Sequence, residues 1–357
     1  MKIINLALFG PGKVGSKLIQ QIIAAKDQLL RNSDLEIRIV LIADSSNLIT
    51  DHLGFDEHWK ERFGKEKRSY KFHNILKYLE KNTFTNLISI DTTASDSLPE
   101  NYIDLIEHGS HIVAANKAAN TLSLEFYEQL RTALKKHHKI FQYETNVGAG
   151  LPVVETIKNL YDSGEQVTRV RGVFSGSLSY IFNTYSRHNV QFSEVLRKAG
   201  EFGYTEPDAR VDLSGKDVAR KLLILARELQ LKKELEEVSI QSLLPTSLNG
   251  GTSLQHFQKQ VSILDDIFQK HKDENKSGEV LRYVGELNVE NGSLQTRLIS
   301  ANAATPLGQI DGTDNIFEIY SESYKEFPLV IQGAGAGIDV TARGVFSDIL
   351  KINKQLN

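Results

Sequence analysis

An α/β domain built on a parallel sheet, followed by a separate α+β domain, is the architecture that this 357-residue sequence predicts. Three observations carry that reading. Apolar runs alternate with helical patterns over the first 145 residues, and strands that alternate with helices argue a parallel sheet covered on both faces. A glycine-rich stretch, "LALFGPGKVGSKL", lies where the first apolar run gives way to the first helical pattern. After Gly150 the rhythm becomes mixed, and an Asn291-Gly292 pair between two alternating segments signals a hairpin.

Taken in order, "IINLALF" (Ile3 to Phe9) reads as a buried strand and "VGSKLIQQIIAAK" as a helix. "EIRIVLIA", "NLISI", "HIVAA" and "IFQYE" read as further strands, with helical stretches such as "SLEFYEQLRTALKK" among them. In the second half, "VTRVRGVFS" reads as a strand, and helices are expected over 177–187, 193–202 and 215–230. The turn-rich stretch from Ser239 to Gly251 is expected to be a connection. "EVLRYVGELNVENGSLQTRLIS" supplies the hairpin, and "PLVIQ" leads through "GAGAG" into a last helix. The expected division is 1–145, completed by 333–357, and 146–332.

The glycines give the first domain a task. Gly10, Gly12 and Gly15 follow G-x-G-x-x-G, closing a strand and opening a helix, which is the context the pattern needs. Gly10 permits the tight turn, Gly12 lets backbone approach a pyrophosphate, and Gly15 lets helix and strand pack closely. Pro11, Lys13 and Val14 complete the loop, and the free N–H groups of the helix N-terminus suit phosphate. The expected fold is therefore α/β, a Rossmann-like nucleotide-binding domain plus a second, α+β domain. Asp44 ends the second strand, where an acid bonds the ribose 2′-hydroxyl of NAD and repels the 2′-phosphate of NADP. Its distance from Gly15 exceeds the usual ~20 residues, an excess that the long first helix and the loop "RNSDLE" absorb. No Lys or Arg follows Asp44 until Lys60, so the reading leans to NAD over NADP.

Bulk composition narrows the rest. A net charge of −3 gives no reason to expect nucleic acid or an anionic membrane as partner. No apolar run reaches the ~18 residues of a membrane span, and no signal-peptide pattern opens the chain. Cysteine is absent. That excludes disulfides, thiolate metal sites and any aldehyde oxidation through an acylated cysteine, and it fits a cytoplasmic protein. The ten histidines show no HExxH-type spacing.

The stretch "EPDARVDLSGKDVARKLLIL" (Glu206 to Leu225) is the chemical centre of the second half. Ser214 is expected to cap a helix beginning at Gly215. Val218, Leu222, Leu225 and Leu229 form one apolar stripe, with Lys216, Arg220 and Arg227 opposite. Asp217 and Lys221 stand at i and i+4, on a face bordering the stripe. On spacing alone they are a helix-stabilising ion pair. A charge turned toward the interior, though, must be paired or serve a purpose, and a lysine held beside a carboxylate can move a proton at a carbonyl oxygen. Glu206 and Asp212 upstream suit a cationic amine.

These residues resemble a known family. "NVGAGLPVVETIKNL", "GVFSGSLSYIFN", "GYTEPDARVDLSGKDVARKLLILAR" and "GAGAGIDVTARGVFSDIL" look like homoserine dehydrogenase. With "GPGKVG", "DTTAS" and "ANK" they cover nearly the whole chain in order. The likeness is greatest to the dehydrogenase half of the fused aspartokinase–homoserine dehydrogenases, although no kinase portion and no ACT domain are recognised here. The resemblance implies reversible NAD(P)-dependent interconversion of L-homoserine and L-aspartate 4-semialdehyde, in the route to threonine and methionine, by a homodimer. It also implies that the α+β domain is the catalytic and dimerisation domain.

Residue by residue, the resemblance makes Lys221 the proton donor and acceptor and Asp217 the acid beside it. Glu206 becomes the amine-binding glutamate and Asp212 a nearby acid of the same loop. Lys117 is implied to lie close to cofactor and substrate, and Thr93 and Gly337 to contact cofactor. Glu144, with the backbone oxygens of Val147, Ala149 and Leu151, is implied to hold a monovalent cation such as sodium or potassium. Val211 stands where many members carry an acid. Two other outcomes stay open: another amino-acid or semialdehyde dehydrogenase of this architecture, or a dinucleotide-binding regulator that has lost catalysis.

Overall fold

A computed structural model describes residues 1–249 and 251–356. The chain divides into two units, Met1–Gly150 with Gly337–Asn357, and Leu151–Ala336.

The first unit holds strands β1 (Lys2–Phe9), β2 (Leu35–Ala43), β3 (Asn47–Thr50), β4 (Arg68–Ser69), β5 (Leu87–Asp91), β6 (His111–Ala114) and β7 (Phe141–Gln142). They form one sheet in the order β4-β3-β2-β1-β5-β6-β7. β2, β1, β5, β6 and β7 run parallel, as the alternating pattern requires, whereas β3 and β4 add antiparallel pairings at one edge. That short addition was not expected from the sequence; four- and two-residue strands carry too little alternation to show. β7 is likewise shorter than the "IFQYE" run, because the chain turns into a 3₁₀ segment at Glu144–Asn146.

Burial follows from the runs themselves. Ile4, Leu6, Leu8, Ile42, Ile90 and Val113 of the parallel strands share one core with Leu18 and Ile19 of the Lys13–Ser33 helix. Val345 and Ile349 of the terminal Ile338–Gln355 helix join the same core. Lys17 pairs with Asp339 at 2.6 Å, fixing the start of the terminal helix beside the first one. Lys2 Nζ donates to the carbonyls of Asn353 and Leu356 at its other end.

The second unit carries β8 (Val167–Val173), β9 (Ser239–Ile240), β10 (Glu279–Asn288), β11 (Ser293–Asn302), β12 (Asp314–Ser321) and β13 (Leu329–Ala334), in the sheet order β13-β12-β8-β10-β11-β9. The hairpin forms as expected, but Asn288 pairs with Ser293, so its loop has four residues and not two. Gly292 supplies the left-handed position, φ +65°. The Ser239–Gly251 stretch is more than a connection, since β9 pairs in parallel with β11; Gly250 lies outside the described residues. β12 was not anticipated. Helices occupy Gly176–Arg187, Phe192–Glu201 and Lys216–Glu228, close to the expected spans.

His111, at the start of β6, is 4% exposed and accepts the Ile140 N–H on Nδ1 at 3.0 Å. Burial, with Lys139 nearby, pushes its pKa down to about 4. The folded protein thus binds this proton less readily than the unfolded chain, whose histidine titrates near 6.5. The stabilisation is present above pH 6.5 and lost as pH falls toward 4. Urea unfolding at pH 7.5 and 4.5 should show a fall in stability, and His111→Gln, which does not titrate, should remove about 2 kcal/mol of that fall.

Candidate functional site

In the first unit a groove of about 790 Å³ runs over the carboxyl ends of the parallel strands. Gly10, Gly12, Asp44, Lys60, Tyr70 and Thr93 are among its walls. The turn that opens it depends on two close approaches. Gly10 is left-handed at φ +90°, and a methyl there would meet the Thr93 side chain at 2.8 Å. A methyl on Gly15 would stand 2.2 Å from the Gly10 carbonyl oxygen and 2.7 Å from Thr92 Oγ1. Thr92, which sequence reasoning missed, donates its hydroxyl to the Gly10 carbonyl at 2.7 Å and locks the turn from the β5 side. At Gly12, by contrast, an added methyl would meet nothing within 4 Å. Open space at the second glycine, before a helix with no acid in its first turn, is the cradle a pyrophosphate needs. The residues present fit a dinucleotide.

The other predicted cofactor residues divide. Pro11 lines the groove, whereas Lys13 and Val14 begin the helix and Gly15 acts from behind the turn. Asp44 lies on the wall, but its Oδ1 is taken by the backbone N–H groups of Ser46 and Asn47 at 2.8 and 2.6 Å. Its carbonyl accepts the Tyr70 hydroxyl at 2.8 Å. Lys117 caps the short Ala118–Thr121 helix after β6, and Gly337 (φ +135°) precedes the terminal helix; neither is on the groove wall. Lys60 lines the same groove as Asp44 and Ser45, although it is distant in sequence.

The second unit builds a different centre. The helix spans Lys216–Glu228 and its cap is Gly215, not Ser214: Gly215 is left-handed at φ +74°, and a methyl there would stand 2.1 Å from the Tyr283 hydroxyl oxygen. Ser214 Oγ still accepts from the Lys216 N–H, at 3.3 Å. Val218 and Leu222 seat the helix on Gly285 of β10, where even a methyl would come within 3.1 Å of both. Lys216 and Arg220 are exposed as expected. Arg227 is not: it is 2% exposed and donates to the Lys233 carbonyl and to Glu234. From Lys221 onward the helix is buried on all sides.

Lys221 is itself only 8% exposed. Its Nζ lies 2.7 Å from the Phe174 carbonyl oxygen and 2.7 Å from Asp217 Oδ2. Phe174 follows β8 and leads into the Gly176–Arg187 helix, so the ammonium joins two elements. Asp217 stays half-exposed. Asp212 has both oxygens engaged by the chain. Ser177 Oγ donates to Oδ1 at 2.6 Å, and the Glu206 backbone N–H donates to Oδ2 at 2.9 Å. Burial, opposed by those donors and helped by Asp217, raises its pKa. Glu206 keeps an exposed side chain. The structure thus gathers Lys221, Asp217, Asp212 and Glu206, and adds Ser177 and the Phe174 carbonyl, which no spacing rule signals.

The implied cation residues fare differently. The Glu144 carboxylate is paired with the Lys351 ammonium at 3.3 Å, and its N–H donates to Asp348 at 2.9 Å. Lys351 lies 3.3 Å from Asp348 as well. The carboxylate therefore has a cationic partner within the chain. Val147 and Ala149 follow it in the first unit, and Leu151 begins the second. No cluster of three or more His, Cys, Asp or Glu suited to a metal occurs among the described residues.

A nucleotide groove on an α/β unit and a buried lysine–carboxylate pair on a second unit define the class: a dinucleotide-binding α/β protein with an acid–base centre. Comparison with known proteins narrows it. Residues 152–350 match the homoserine dehydrogenase family, and residues 10–144 match the homoserine dehydrogenase NAD-binding domain. The chain belongs to the homoserine dehydrogenase family.

The chain is 39% identical over 354 residues to the bifunctional aspartokinase/homoserine dehydrogenase 2 of Zea mays, covering 98% of this chain and 38% of that protein. It thus spans less than half the length of that relative. A Candida auris protein of unknown function shares its structure with a TM-score of 0.90 and 30% identity, over 99% of both chains. A homoserine dehydrogenase from a hyperthermophilic archaeon, solved in complex with NADPH, has the same fold at a TM-score of 0.75 and 21% identity, over 100% and 99% of the chains. No helix among the described residues is long and apolar enough to cross a membrane.

The glycines separate folding from binding. Gly15→Ala should lower the urea-unfolding free energy by roughly 1–3 kcal/mol, because backbone must give way. Gly12→Ala should unfold within about 0.5 kcal/mol of the parent and yet lose NADH binding in a fluorescence titration, since its methyl takes pyrophosphate space.

Proposed function

We propose that the chain catalyses the reversible oxidation of L-homoserine to L-aspartate 4-semialdehyde with a nicotinamide dinucleotide. The observation that carries this reading is Lys221: an almost fully buried ammonium, 2.7 Å from a carboxylate and 2.7 Å from a carbonyl, on a helix whose following residues are all buried. The bound dinucleotide supplies the two-electron acceptor or donor.

This chain's residues supply the rest. Gly10, Gly12 and the first turn of the Lys13–Ser33 helix hold the pyrophosphate. Glu206, with its exposed carboxylate, binds the substrate ammonium. Asp212 does not reach the substrate in this scheme; it fixes the Glu206 backbone against Ser177 and so sets where that carboxylate stands. Lys221 Nζ gives or receives the hydroxyl proton, and Asp217 holds Nζ in place. Lys117 adds a second cation on the nucleotide-binding unit. Positioning of this kind removes much of the entropic barrier. No step is routed through a metal ion. An amino alcohol is the substrate that uses every one of these groups, and absence of turnover on homoserine, with NADH binding intact, would favour a regulator.

Cofactor choice turns on two wall residues. Asp44 favours a free ribose hydroxyl, so NAD is the preferred dinucleotide. Lys60 places a cation on the same wall and lets NADP bind more weakly. A homodimer, which the family resemblance implies, is part of the same proposal. A cytoplasmic setting for this cysteine-free chain is part of the same proposal.

Two measurements test the reading. Lys221→Ala should lower kcat on homoserine by about 10²–10⁴ with the dissociation constant for NADH unchanged; near-parental turnover would remove Lys221 from the chemistry. Lys60→Ala should weaken NADPH by about tenfold and NADH by less than about twofold, and equal losses would take Lys60 away from the 2′-phosphate.

A further inference from the structure

Asp91, the last residue of β5, is 1% exposed and has no part in the scheme above. Its side chain accepts from three neutral donors. The Thr93 backbone N–H reaches Oδ1 at 2.7 Å, and the Tyr102 hydroxyl and Asn116 Nδ2 reach Oδ2 at 2.7 and 3.0 Å. No ion pair to Asp91 occurs among the described residues. A buried carboxylate held without a cation is costly where an apolar residue would pack freely, and burial indeed raises its pKa.

Those bonds join two loops. Thr93 and Ser95 are on the groove wall, and Asn116 immediately precedes Lys117. Asn116 Nδ2 also donates to the Ser95 carbonyl at 2.7 Å, while its Oδ1 accepts the Ala118 N–H at 2.9 Å. The Asp91 carbonyl accepts the Ala115 N–H at 2.9 Å. The loop after β5 and the loop after β6 therefore share one carboxylate. In the sheet order, β2 with Asp44 lies on one side of β1, and β5 and β6 lie on the other. A dinucleotide lying across such a switch point puts its adenosine over the β2 side and its other half over the far side.

We infer that Asp91 is a positioning residue for the nicotinamide half of the bound dinucleotide: its carboxylate locks the Thr93–Ser95 loop to the Asn116–Lys117 loop and shapes that end of the site without touching the ligand. The inference rests on the dinucleotide reading of the groove. Asp91→Asn is nearly isosteric, but its NH₂ must face either the Thr93 N–H or the Tyr102 and Asn116 donors. One link breaks with no change in volume.

Binding of NADH and of ADP, which lacks the nicotinamide half, decides the matter. Asp91→Asn should weaken NADH by about tenfold or more and ADP by less than about twofold. Equal weakening of both ligands, or unchanged NADH affinity, overturns the assignment. Tyr102→Phe leaves the bridge between the loops intact and should bind both ligands as the parent does; a split as large as that of Asp91→Asn would also overturn it. Should Asp91→Asn not fold, Asn116→Ala cuts the same bridge from its other end and must show the same split. A parent protein that binds neither ligand defeats the dinucleotide reading itself.

Discussion

An ammonium that water scarcely reaches must have its charge answered by the chain, and at Lys221 two different elements answer it. Asp217 stands one turn earlier on the same helix; the Phe174 carbonyl comes from the end of β8. The helix can meet β8 at that distance only because the sheet beneath it is thin. Gly285 takes Val218 and Leu222 directly against β10, and Gly172 lies flat against the Ile316 carbonyl of β12. A side chain at Gly285 would press on the helix, and one at Gly172 would collide with the β12 backbone that pairs with β8. The Lys221 ammonium is thus placed by residues that have no chemistry of their own, and by a left-handed Gly215 resting on Tyr283. Tyr283 in turn is tied to the Gln241 carbonyl and to Thr296, so β9, β10 and β11 all bear on where the helix starts.

Much of this was legible before any coordinates, for a physical reason. Period and punctuation are local: a buried parallel strand reads as an apolar run, and a helix that follows G-x-G-x-x-G reads as a phosphate turn, whatever happens elsewhere in the chain. The same locality explains what was missed. β3, β4 and β9 are two to four residues long and exist only because a neighbouring strand offers hydrogen bonds. Arg227 was placed on the solvated side because a helical wheel records angle and not surroundings. The loop around Lys233 and Glu234 returns over that side and buries it. Lys60 joins the groove through a fold-back of β3 and β4 that no window of sequence contains.

The acids show the same limit more sharply. Glu206, Asp208, Asp212 and Asp217 read as one acidic run, yet they do four different things. Asp208 pairs with Arg210, Asp212 anchors Ser177 and the Glu206 N–H, Asp217 meets Lys221, and Glu206 is left exposed. What separates them is which donors the fold brings near, and that is a property of backbone paths. Glu144 is the clearest instance. A lone acid before a string of carbonyls is chemically reasonable for a hard cation, but the terminal helix puts Lys351 and Asp348 beside it. A side-chain ammonium then neutralises the carboxylate from within the chain.

Asp44 and Asp91 carry this argument to the nucleotide groove. Asp44 immediately follows β2 and Asp91 ends β5, so both lie at the carboxyl edge of parallel strands adjoining β1, where ligands bind in such sheets. Asp44 spends Oδ1 on its own turn, and Oδ2 takes no part in that turn, so one acceptor remains for a ribose hydroxyl. Asp91 spends both oxygens on three donors and keeps none for a ligand. Equal positions in the topology therefore leave the two carboxylates unequally engaged, one by its own turn and one by Thr93, Tyr102 and Asn116. Sequence reasoning singled out the first because an acid closing the second strand has a known use. It passed over the second because the donors that define its use lie in two other segments, at Tyr102 and Asn116. The sheet brings them to Asp91, and with them it sets the distance between the loops that follow β5 and β6.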